Sequence, residues 1–483
     1  MVFSSPIFLL GFLPILLGVY FFLPPRARNF VLLIGSLFFY SWGETYYVAV
    51  MLLSITMNYS FGIAIGNIHQ EISEDKRRKV YLCLGLAANL ALLISFKYTN
   101  FIAENLNQVL QFFSFPPIVI EPIHLPVGIS FFTFQAISYL VDVHRGHATA
   151  QTNPINLALY ISLFPQLIAG PIVRYRSIEK QITVRTHSLA IFSSGVSRFI
   201  FGLSKKTLLA NPLGSVADNI FSMGPTELTV PLTWIGAISY SLQIYFDFSG
   251  YSDMAIGLGR MFGFEFPENF RYPYCAMNLR DFWRRWHISL STWFRDYVYI
   301  PLGGSHTTVA RTLRNLLTVF VLTGLWHGAS WNFLIWGLIH GCFLIIERTY
   351  VGSLIDRVWR PLQHLYVLIV VVIAWIFFRA ETIASSLSYL KTFLGFGSWE
   401  LSQFAIARFI PNEAIYAAGI GIFLSAPIHP LITKYIKRFL SLKTSVFEIV
   451  IRIAKLVTLS ILWILCLSKM ASQSYDPFIY FRF

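Results

Sequence analysis

The chain has 483 residues, of which 55% are hydrophobic and only 12% are charged, whereas about a quarter of the residues in soluble domains are charged. This composition excludes an ordinary soluble domain and predicts an all-α polytopic membrane protein. The net charge of +14 lies in loops between apolar runs, as the positive-inside rule describes, and no nucleic-acid-binding motif accompanies it. The four cysteines are widely spaced and form no CxxC pair, which argues against a disulfide framework or a zinc site.

Long apolar runs separated by short loops predict about eleven membrane-spanning helices in a single domain of residues 1–483. The opening run lacks the basic start of a signal peptide and is interpreted as a retained first span. The second run is long enough for two spans that turn near Glu44. The runs are Pro6–Leu23, Phe30–Gly66, Val80–Phe96, Pro126–Val141, Pro154–Val173, Leu189–Leu209, Leu232–Phe248, Leu316–Trp326, Trp331–Ile346, Leu365–Phe378, Ala414–Ile432 and Leu456–Ser468.

One of these runs, Pro154–Val173, is expected to be a re-entrant hairpin rather than a span. Arg145 precedes it and Arg174 follows it, so both flanks are predicted to be cytoplasmic. Pro165 and the Gly170-Pro171 pair interrupt its helical pattern. Irregular backbone at membrane depth has to be buried in protein or line a cavity.

The segment RDFWRRWHISLSTWFRDYVYIPLGG (Arg280–Gly304) carries four arginines among tryptophans and tyrosines and is too charged to span a bilayer. We expect it to lie at the cytoplasmic face, with its apolar side dipping into the membrane. Its arginines either anchor the chain to lipid headgroups or bind a phosphate-bearing donor, for which the guanidinium fork is suited. The candidate donor-binding residues are Arg280, Arg284, Arg285 and Arg295.

His327 lies in GLWHGASWNFLIWGLIHG, within a long stretch that lacks charged residues. A titratable ring at membrane depth is costly unless it has a partner or faces a polar cavity. Gly324 and Gly328 allow another backbone or a ligand to approach closely, and Ser330 and Asn332 add polar atoms nearby. These neighbours favour a substrate pocket over the alternative, a structural histidine bonded to a neighbouring helix.

A second histidine, His287, lies in WRRWHISLS, where the alternative interpretation is an interfacial histidine in a basic patch. The two histidines together could bracket a reacting carbonyl. His327 would then act as the general base and His287 as an orienting group or oxyanion partner. His340 follows on an apolar helix face and is expected to be structural.

Two acidic residues, Asp247 and Asp253, interrupt the apolar segment SYSLQIYFDFSGYSDMAIG. Acidic groups at membrane depth often mark a functional site. Their spacing, however, places them on different faces of an unbroken helix, which argues against an acid–base dyad. We expect these carboxylates to be neutralised by nearby arginines.

The Arg280–Gly304 segment and GLWHGASWNFLIWGLIHG resemble the two core motifs of the membrane-bound O-acyltransferase (MBOAT) family. YFDFSGYSDMAIG and the ending DPFIYFRF are similar to its alginate O-acetyltransferase branch. The resemblance implies an MBOAT fold of about 11 transmembrane helices plus re-entrant and interfacial helices around a central funnel. It implies that His327 matches the family's catalytic histidine and His287 the second histidine of this bacterial branch.

The resemblance also implies acyl transfer from acetyl-CoA, a substrate rather than a resident cofactor, with no metal, at the bacterial cytoplasmic (inner) membrane. In this branch the acetyl group passes to a periplasmic or membrane-anchored partner acetylase, which works with polysaccharide synthesis and export machinery. Membrane lipids are the remaining expected partner. The core motifs do not distinguish alginate, peptidoglycan and cellulose as acceptors. They also do not distinguish acetyl transfer from the transfer of D-alanine that a carrier protein donates.

Two functions of other classes remain open at this point. A small-molecule transporter would use the same broken segments and intramembrane polar residues, but it predicts inverted internal repeats, and the sequence has none that are convincing. A non-catalytic scaffold for a polysaccharide synthase predicts that both histidines are dispensable.

Overall fold

The described part of the chain is built from helices. The structure is a computed structural model that describes residues 1–67, 75–400, 409–428, 445–472 and 478. Within these ranges, β pairing is recorded as one isolated bridge, between Thr229 and Ser398. This confirms the all-α class. The ending DPFIYFRF, apart from Phe478, and the last residues of the Ala414–Ile432 run lie outside the described residues.

The chain divides into two compact units, and the first consists of Met1–Val196 with Ala255–Pro267. Within it, the turn expected near Glu44 is confirmed, because one helix ends at Ser41 and the next begins at Val48. The helices of this unit are Ile7–Phe12 (a π-helix), Leu13–Phe22, Pro25–Ala27 (a 3₁₀ turn), Arg28–Ser41, Val48–Gly66, Asp75–Lys97, Thr99–Phe112, Ile129–His144, Pro154–Ser162, Phe164–Leu167 and Tyr175–Thr183.

The Pro154–Val173 run is broken, as its prolines and glycine predict. A helix ends at Ser162, a single helical turn follows from Phe164, and residues 163–173 are all buried. Buried side chains bond the irregular backbone here: the Tyr160 hydroxyl donates to the carbonyl of Val173 at 3.0 Å, and the Gln166 amide donates to the carbonyl of Tyr160 at 2.6 Å. The break is confirmed, and the re-entrant path through a membrane stays a prediction.

The second unit consists of Ser197–Met254 with Glu268–Phe483. Two helices, Leu189–Ser204 and Val230–Met261, contribute residues to both units. The other described helices of this unit are Lys205–Ala210 (a π-helix), Asn211–Phe221, Pro273–Cys275 (a 3₁₀ turn), Leu279–Arg285, Ile288–Phe294, Arg295–Tyr299 (a π-helix), Val309–His327, Trp331–Arg348, Tyr350–Ile355, Arg360–Arg379, Ile383–Phe393, Asn412–Leu424 and Ser445–Ser472. The expectation of a single domain stays a prediction.

Four described helices are long and apolar enough to cross a membrane: Val48–Gly66, Asp75–Lys97, Arg360–Arg379 and, within the last helix, Ile449–Ser472. Two shorter apolar segments, Ile7–Phe22 and Asn412–Leu424, add to the apolar character of the chain. Helices such as Val309–His327 begin with charged residues, which shortens their apolar part. The expected number of about eleven spans and the central funnel stay predictions.

The arginine-rich segment folds into short helices that lie end to end rather than into one span. Asn278 caps the first of them, since its side-chain oxygen accepts the backbone N–H of Asp281 at 2.8 Å. His287 ends that helical stretch with φ 42° and ψ 53°, a left-handed conformation that no right-handed helix continues. Trp283 and Trp286 are buried whereas Arg284 is exposed, which confirms the predicted division into an apolar and a basic side.

Glycines allow the helices Val309–His327 and Trp331–Arg348 to pack backbone against backbone. A Cβ atom at Gly324 would collide with the carbonyl oxygen of Phe333, and one at Gly328 would collide with the Phe333 ring. The close approach expected around His327 is therefore confirmed. It fixes the end of the first helix against the start of the second.

Candidate active site

His327 is the last residue of the Val309–His327 helix and is enclosed by aromatic rings. Its side chain is buried, and its ring centroid lies 5.0 Å from Trp326, 4.9 Å from Trp336 and 5.1 Å from Phe378, each in an edge-to-face arrangement. Aromatic edges and faces pack well in this geometry. The enclosure holds the imidazole in a setting from which water is largely excluded.

The polar neighbours expected around His327 contribute to its position. The Asn332 amide donates to the carbonyl oxygen of Ala380 at 2.5 Å. This bond ties the start of the Trp331–Arg348 helix to the chain just beyond Phe378, one of the rings that enclose His327. Ser330 flanks the same helix start without a side-chain capping bond.

His287 is fully buried at the junction between two short helices. Phe248 packs edge to face on its ring with centroids 4.6 Å apart, and Trp326 lies at 6.1 Å. Since Trp326 also contacts His327, the structure brings both predicted catalytic histidines against one indole. Burial lowers the pKa of His287 to about 3, so this imidazole is neutral at physiological pH.

Asn269 is a residue of this site that the sequence did not reveal. Its side-chain oxygen lies 3.3 Å from Nδ1 of His287 and accepts the backbone N–H of Ser289 at 3.1 Å and the Ser289 hydroxyl at 2.9 Å. Its amide nitrogen donates to the hydroxyl of Ser252 at 3.1 Å. Asn269 precedes His287 by 18 positions outside any helix, so no periodic pattern connects the two residues.

His340 is buried within the aromatic cluster, and its structural role stays a prediction. It is fully buried, its Nδ1 accepts the indole N–H of Trp283 at 3.3 Å, and its ring lies 5.0 Å from that of Trp336. The bond joins the arginine-rich segment to the helix Trp331–Arg348. Trp336 also contacts His327, so one indole packs against both histidines.

The four candidate donor-binding arginines divide into two pairs. Arg285 forms an ion pair with Asp281 at 2.9 Å, and Arg295 forms one with Asp296 at 2.6 Å. The other two residues, Arg280 and Arg284, have exposed side chains that form no hydrogen bond or ion pair with the described residues. Arg280 and Arg284 are thus available to an anionic ligand, whereas Arg285 and Arg295 are already neutralised by neighbouring aspartates.

The acidic residues of the Val230–Met261 helix are neutralised separately. Asp247 pairs with Lys206 at 2.7 Å, and both side chains are buried. Asp253 pairs with Arg198 and with Lys205, each at 2.6 Å. Neutralisation of both carboxylates is confirmed, and so is their separation onto different faces. Arg198 supplies an arginine partner for Asp253, as expected, whereas the cation paired with Asp247 is a lysine of the π-helix Lys205–Ala210.

The site combines two buried imidazoles, an aromatic enclosure and two surface arginines that have no ion-pair partner in the described part of the chain. Imidazole is the side chain best suited to take and return a proton near neutral pH, and a site poor in water strengthens its polar contacts. Within the described ranges, no three His, Cys, Asp or Glu side chains converge as the ligands of a metal ion would. This chemistry suits acyl transfer from a phosphate-bearing donor.

Comparison with known proteins supports the same class. Residues 105–390 match the membrane-bound O-acyltransferase family. The chain is 39% identical to the probable alginate O-acetylase AlgI of Azotobacter vinelandii over the full length of both proteins. It is 37% identical to a peptidoglycan O-acetyltransferase of Helicobacter pylori, with 82% of this chain and 80% of that protein covered. A teichoic acid D-alanyltransferase of Bacillus subtilis is 28% identical over 56% of this chain and 72% of its own length.

These features are typical of membrane-embedded acyltransferases. The protein is helical, it has long apolar helices, and two buried histidines lie in and near an arginine-rich segment. The match over residues 105–390 and the full-length similarity place it more closely: the chain belongs to the MBOAT family. It is an acyltransferase, and the resemblance to the alginate O-acetylase branch is confirmed.

Proposed function

We propose that this protein transfers an acetyl group from cytoplasmic acetyl-CoA across the bacterial inner membrane toward O-acetylation of an extracytoplasmic polysaccharide of the alginate type. The observation that carries the proposal is the 39% identity to an alginate O-acetylase over the full length of both chains. A periplasmic or membrane-anchored acetylase is the expected recipient. It would act together with the polysaccharide synthesis and export machinery.

The two buried histidines are proposed to perform the chemistry. Attack on a thioester by a hydroxyl requires a base for the hydroxyl proton, and it develops negative charge on the carbonyl oxygen. His327 and His287, both in contact with Trp326, supply these two functions between them. The sequence assigns the base to His327, which is enclosed at the end of its helix.

The donor is proposed to bind at the exposed arginines. CoA carries phosphate groups that arginine binds through paired N–H donors. Arg280 and Arg284 are exposed and unpaired among the described residues, so they are the main candidates. Arg285 and Arg295 would have to exchange their aspartate partners for phosphate and are expected to contribute less.

A second acceptor is supported by one specific observation, the 37% identity to a peptidoglycan O-acetyltransferase. Acetylation of peptidoglycan would use the same donor and the same pair of histidines, with a different recipient outside the cytoplasm. Cellulose acetylation and D-alanyl transfer from a carrier protein are further outcomes of the same test.

The test is release of CoA by the purified protein with radiolabelled acetyl-CoA, in the presence of a competent partner acetylase. We expect the wild type to release CoA and to label the partner or the glycan, and His327→Ala to do neither. His306→Ala is the matched control, since His306 is an exposed histidine of the same unit and its loss should leave transfer unchanged.

Two results would count against the proposal. Full transfer by His327→Ala would remove that residue from catalysis. Absence of CoA release from the wild type, with a partner shown to be competent, would exclude acetyl-CoA as donor; a D-alanyl carrier protein would then be supplied. Alginate, peptidoglycan and cellulose offered in parallel would identify the acceptor.

A further inference from the structure

The orientation of the Asn269 side chain is fixed by a backbone donor. The N–H of Ser289 can only donate, and it lies 3.1 Å from Oδ1 of Asn269, so the atom facing it has to be the oxygen. The amide nitrogen then points to the hydroxyl of Ser252 at 3.1 Å. A second backbone bond, from the N–H of Ile288 to the carbonyl oxygen of Asn269 at 3.0 Å, holds the same residue from its main chain.

This orientation determines where the proton of His287 lies. Nδ1 of His287 is 3.3 Å from the same Asn269 oxygen, and an oxygen without a hydrogen can only accept. Nδ1 therefore carries the hydrogen and donates it. Since the ring is neutral, Nε2 carries a lone pair and no hydrogen.

The other nitrogen of His287 is buried and lacks a partner. Nε2 makes no hydrogen bond with the described residues. Leaving a buried acceptor unsatisfied costs roughly 1–3 kcal/mol, and such atoms in native proteins require an explanation, among which a catalytic role is prominent. The left-handed backbone of His287, with φ 42°, is a second local strain of the kind that is concentrated at functional sites.

We propose that Asn269 is a positioning residue that holds His287 as the Nδ1–H tautomer, so that Nε2 of His287 accepts a proton during acyl transfer. The proposal rests on the proposed acetyltransferase function. As the acceptor hydroxyl oxygen bonds to the thioester carbon, its proton passes to Nε2. When the C–S bond breaks, the same proton passes to the departing thiolate, so the imidazole ends neutral.

This role differs from the one that the sequence suggested for His287. An oxyanion partner has to present an N–H, and in the tautomer set by Asn269 the free nitrogen presents none. The proton acceptor is then His287, and the carbonyl oxygen is left to His327 and other donors. Both histidines remain essential, with their roles exchanged.

Several of the charged groups on the elements packed around His287 are held in ion pairs. Burial is the one cause of its lowered pKa, with no charge contribution. On the Val230–Met261 helix, Asp247 and Asp253 are in ion pairs. The other titratable or charged groups on these helices and on the segment around Asn269 include Tyr240, Tyr245, Tyr251, Arg260, Glu268, Arg271, Arg280, Asp281, Arg284, Arg285, Arg311, Arg314 and His327.

The first experiment places a carboxylate at the position of the Asn269 oxygen. In Asn269→Asp the oxygens still accept from Ser289 and from Nδ1 of His287, but the negative charge stabilises the protonated imidazolium. The pKa of His287 rises, and Nε2 is occupied by a proton at low pH. We expect the acidic limb of the pH profile of CoA release to move upward by about one pH unit or more, with activity retained at high pH.

Two variants serve as comparisons for Asn269→Asp. Asn269→Leu removes the acceptor without adding a charge, and we expect kcat to fall roughly ten- to a hundredfold at every pH, as is typical when a group that orients an imidazole is lost. Asn100→Asp is the matched control, because the Asn100 side-chain oxygen also accepts a backbone N–H, that of Ile123 at 2.9 Å, and Asn100 belongs to the other unit of the chain. Its pH profile should equal that of the wild type.

A replacement of His287 itself separates the two possible roles. His287→Gln and His287→Asn retain a side-chain N–H donor, and asparagine also tolerates the left-handed backbone. Neither can take a proton. Loss of transfer in both variants supports the proton-acceptor role, whereas substantial transfer by either would assign His287 to the oxyanion and overturn the proposal.

The tautomer of His287 can be measured directly, in an experiment that does not depend on enzyme activity. Nitrogen-15 spectra of histidine-labelled protein distinguish a protonated Nδ1 from a protonated Nε2, and the His287 signals are those missing from His287→Asn. We expect Nδ1–H in the wild type and a mixture of tautomers in Asn269→Leu. An Nε2–H form in the wild type would overturn the proposal even if CoA release is found, and failure of CoA release alone would instead count against the proposed function.

Discussion

The imidazole of His327 and the indole of Trp336 pack edge to face, with their ring centroids 4.9 Å apart. Trp336 is fully buried and also contacts His340 at 5.0 Å and stacks on Trp375 at 6.1 Å. The wall behind the candidate catalytic histidine is thus a tryptophan packed against four further rings, which also include Phe378 at 5.2 Å and Trp283 at 5.8 Å. Trp336 therefore contributes both to the position of the His327 ring and to the stability of the folded protein.

Replacement of Trp336 should therefore lower both activity and stability, and the loss should be larger the more of the ring is removed. Trp336→Ala leaves a void beside His327 and is expected to cost about 3–5 kcal/mol of stability and most of the transfer activity. Trp336→Phe retains an aromatic partner and should keep a larger share of both. Thermal unfolding in detergent and CoA release measure the two effects. The comparison is Trp234→Ala, at an exposed tryptophan that stacks on Phe393.

The glycines around His327 give a second prediction. A Cβ at Gly324 would collide with the carbonyl oxygen of Phe333, and backbone cannot move aside as a side chain can. Gly324→Ala should therefore push the Val309–His327 and Trp331–Arg348 helices apart and lower both the unfolding temperature and transfer. Gly18→Ala, where a Cβ meets nothing within 4 Å, should leave both unchanged. Equal behaviour of the two variants would contradict the close packing.

The part of the site that the sequence predicts is the part encoded locally. His327 and its flanking glycines are adjacent in the chain, so their close packing could be inferred from residue type alone. The turn at Glu44 and the break at Pro165 likewise follow from nearby residues.

The contacts that the sequence did not predict are set by tertiary structure. Asn269 reaches His287 because an irregular segment runs beside the junction of two helices, and no spacing rule encodes that approach. Lys205 and Lys206, consecutive residues of the π-helix Lys205–Ala210, pair with Asp253 and Asp247 respectively, and no sequence spacing connects the lysines to these aspartates.

The buried pair of Lys206 and Asp247 gives a third prediction. Removing one partner of a buried ion pair costs about 3–5 kcal/mol, so Lys206→Met should be strongly destabilising. Lys205→Met is the matched control, because Asp253 keeps Arg198 at 2.6 Å as a second partner, and its loss of stability should be clearly smaller. Adding Asp247→Asn to Lys206→Met should recover part of the loss. Similar unfolding temperatures for Lys206→Met and Lys205→Met would contradict the expectation that Arg198 compensates Asp253 when Lys205 is lost.

The unequal pairing of the arginines gives a fourth prediction. Arg280→Gln and Arg284→Gln should raise KM for acetyl-CoA several-fold with a smaller change in kcat, because they remove ground-state binding of phosphate rather than a contact to the reacting atoms. Arg285→Gln and Arg295→Gln should raise KM less, since these guanidinium groups are already paired with aspartates. The effect should shrink at high salt, which screens exposed charges. The opposite ranking of KM values would move the donor site toward the paired arginines.

The neutral state of buried His287 gives a prediction for the pH dependence of stability. Burial holds its pKa at about 3 in the folded protein, whereas an unfolded histidine titrates near 6.5. Between these values the unfolded state binds the extra proton, so the contribution of His287 to stability is complete above pH 6.5 and declines as the pH falls.

From pH 6.5 to 5.0 this loss amounts to about 2 kcal/mol. His287→Asn removes the titrating group while tolerating the left-handed backbone. Its unfolding temperature should therefore fall less on acidification than that of the wild type. Equal falls in the two proteins would mean that the ring is already protonated or exposed in the folded state, which would also remove Nε2 as a proton acceptor.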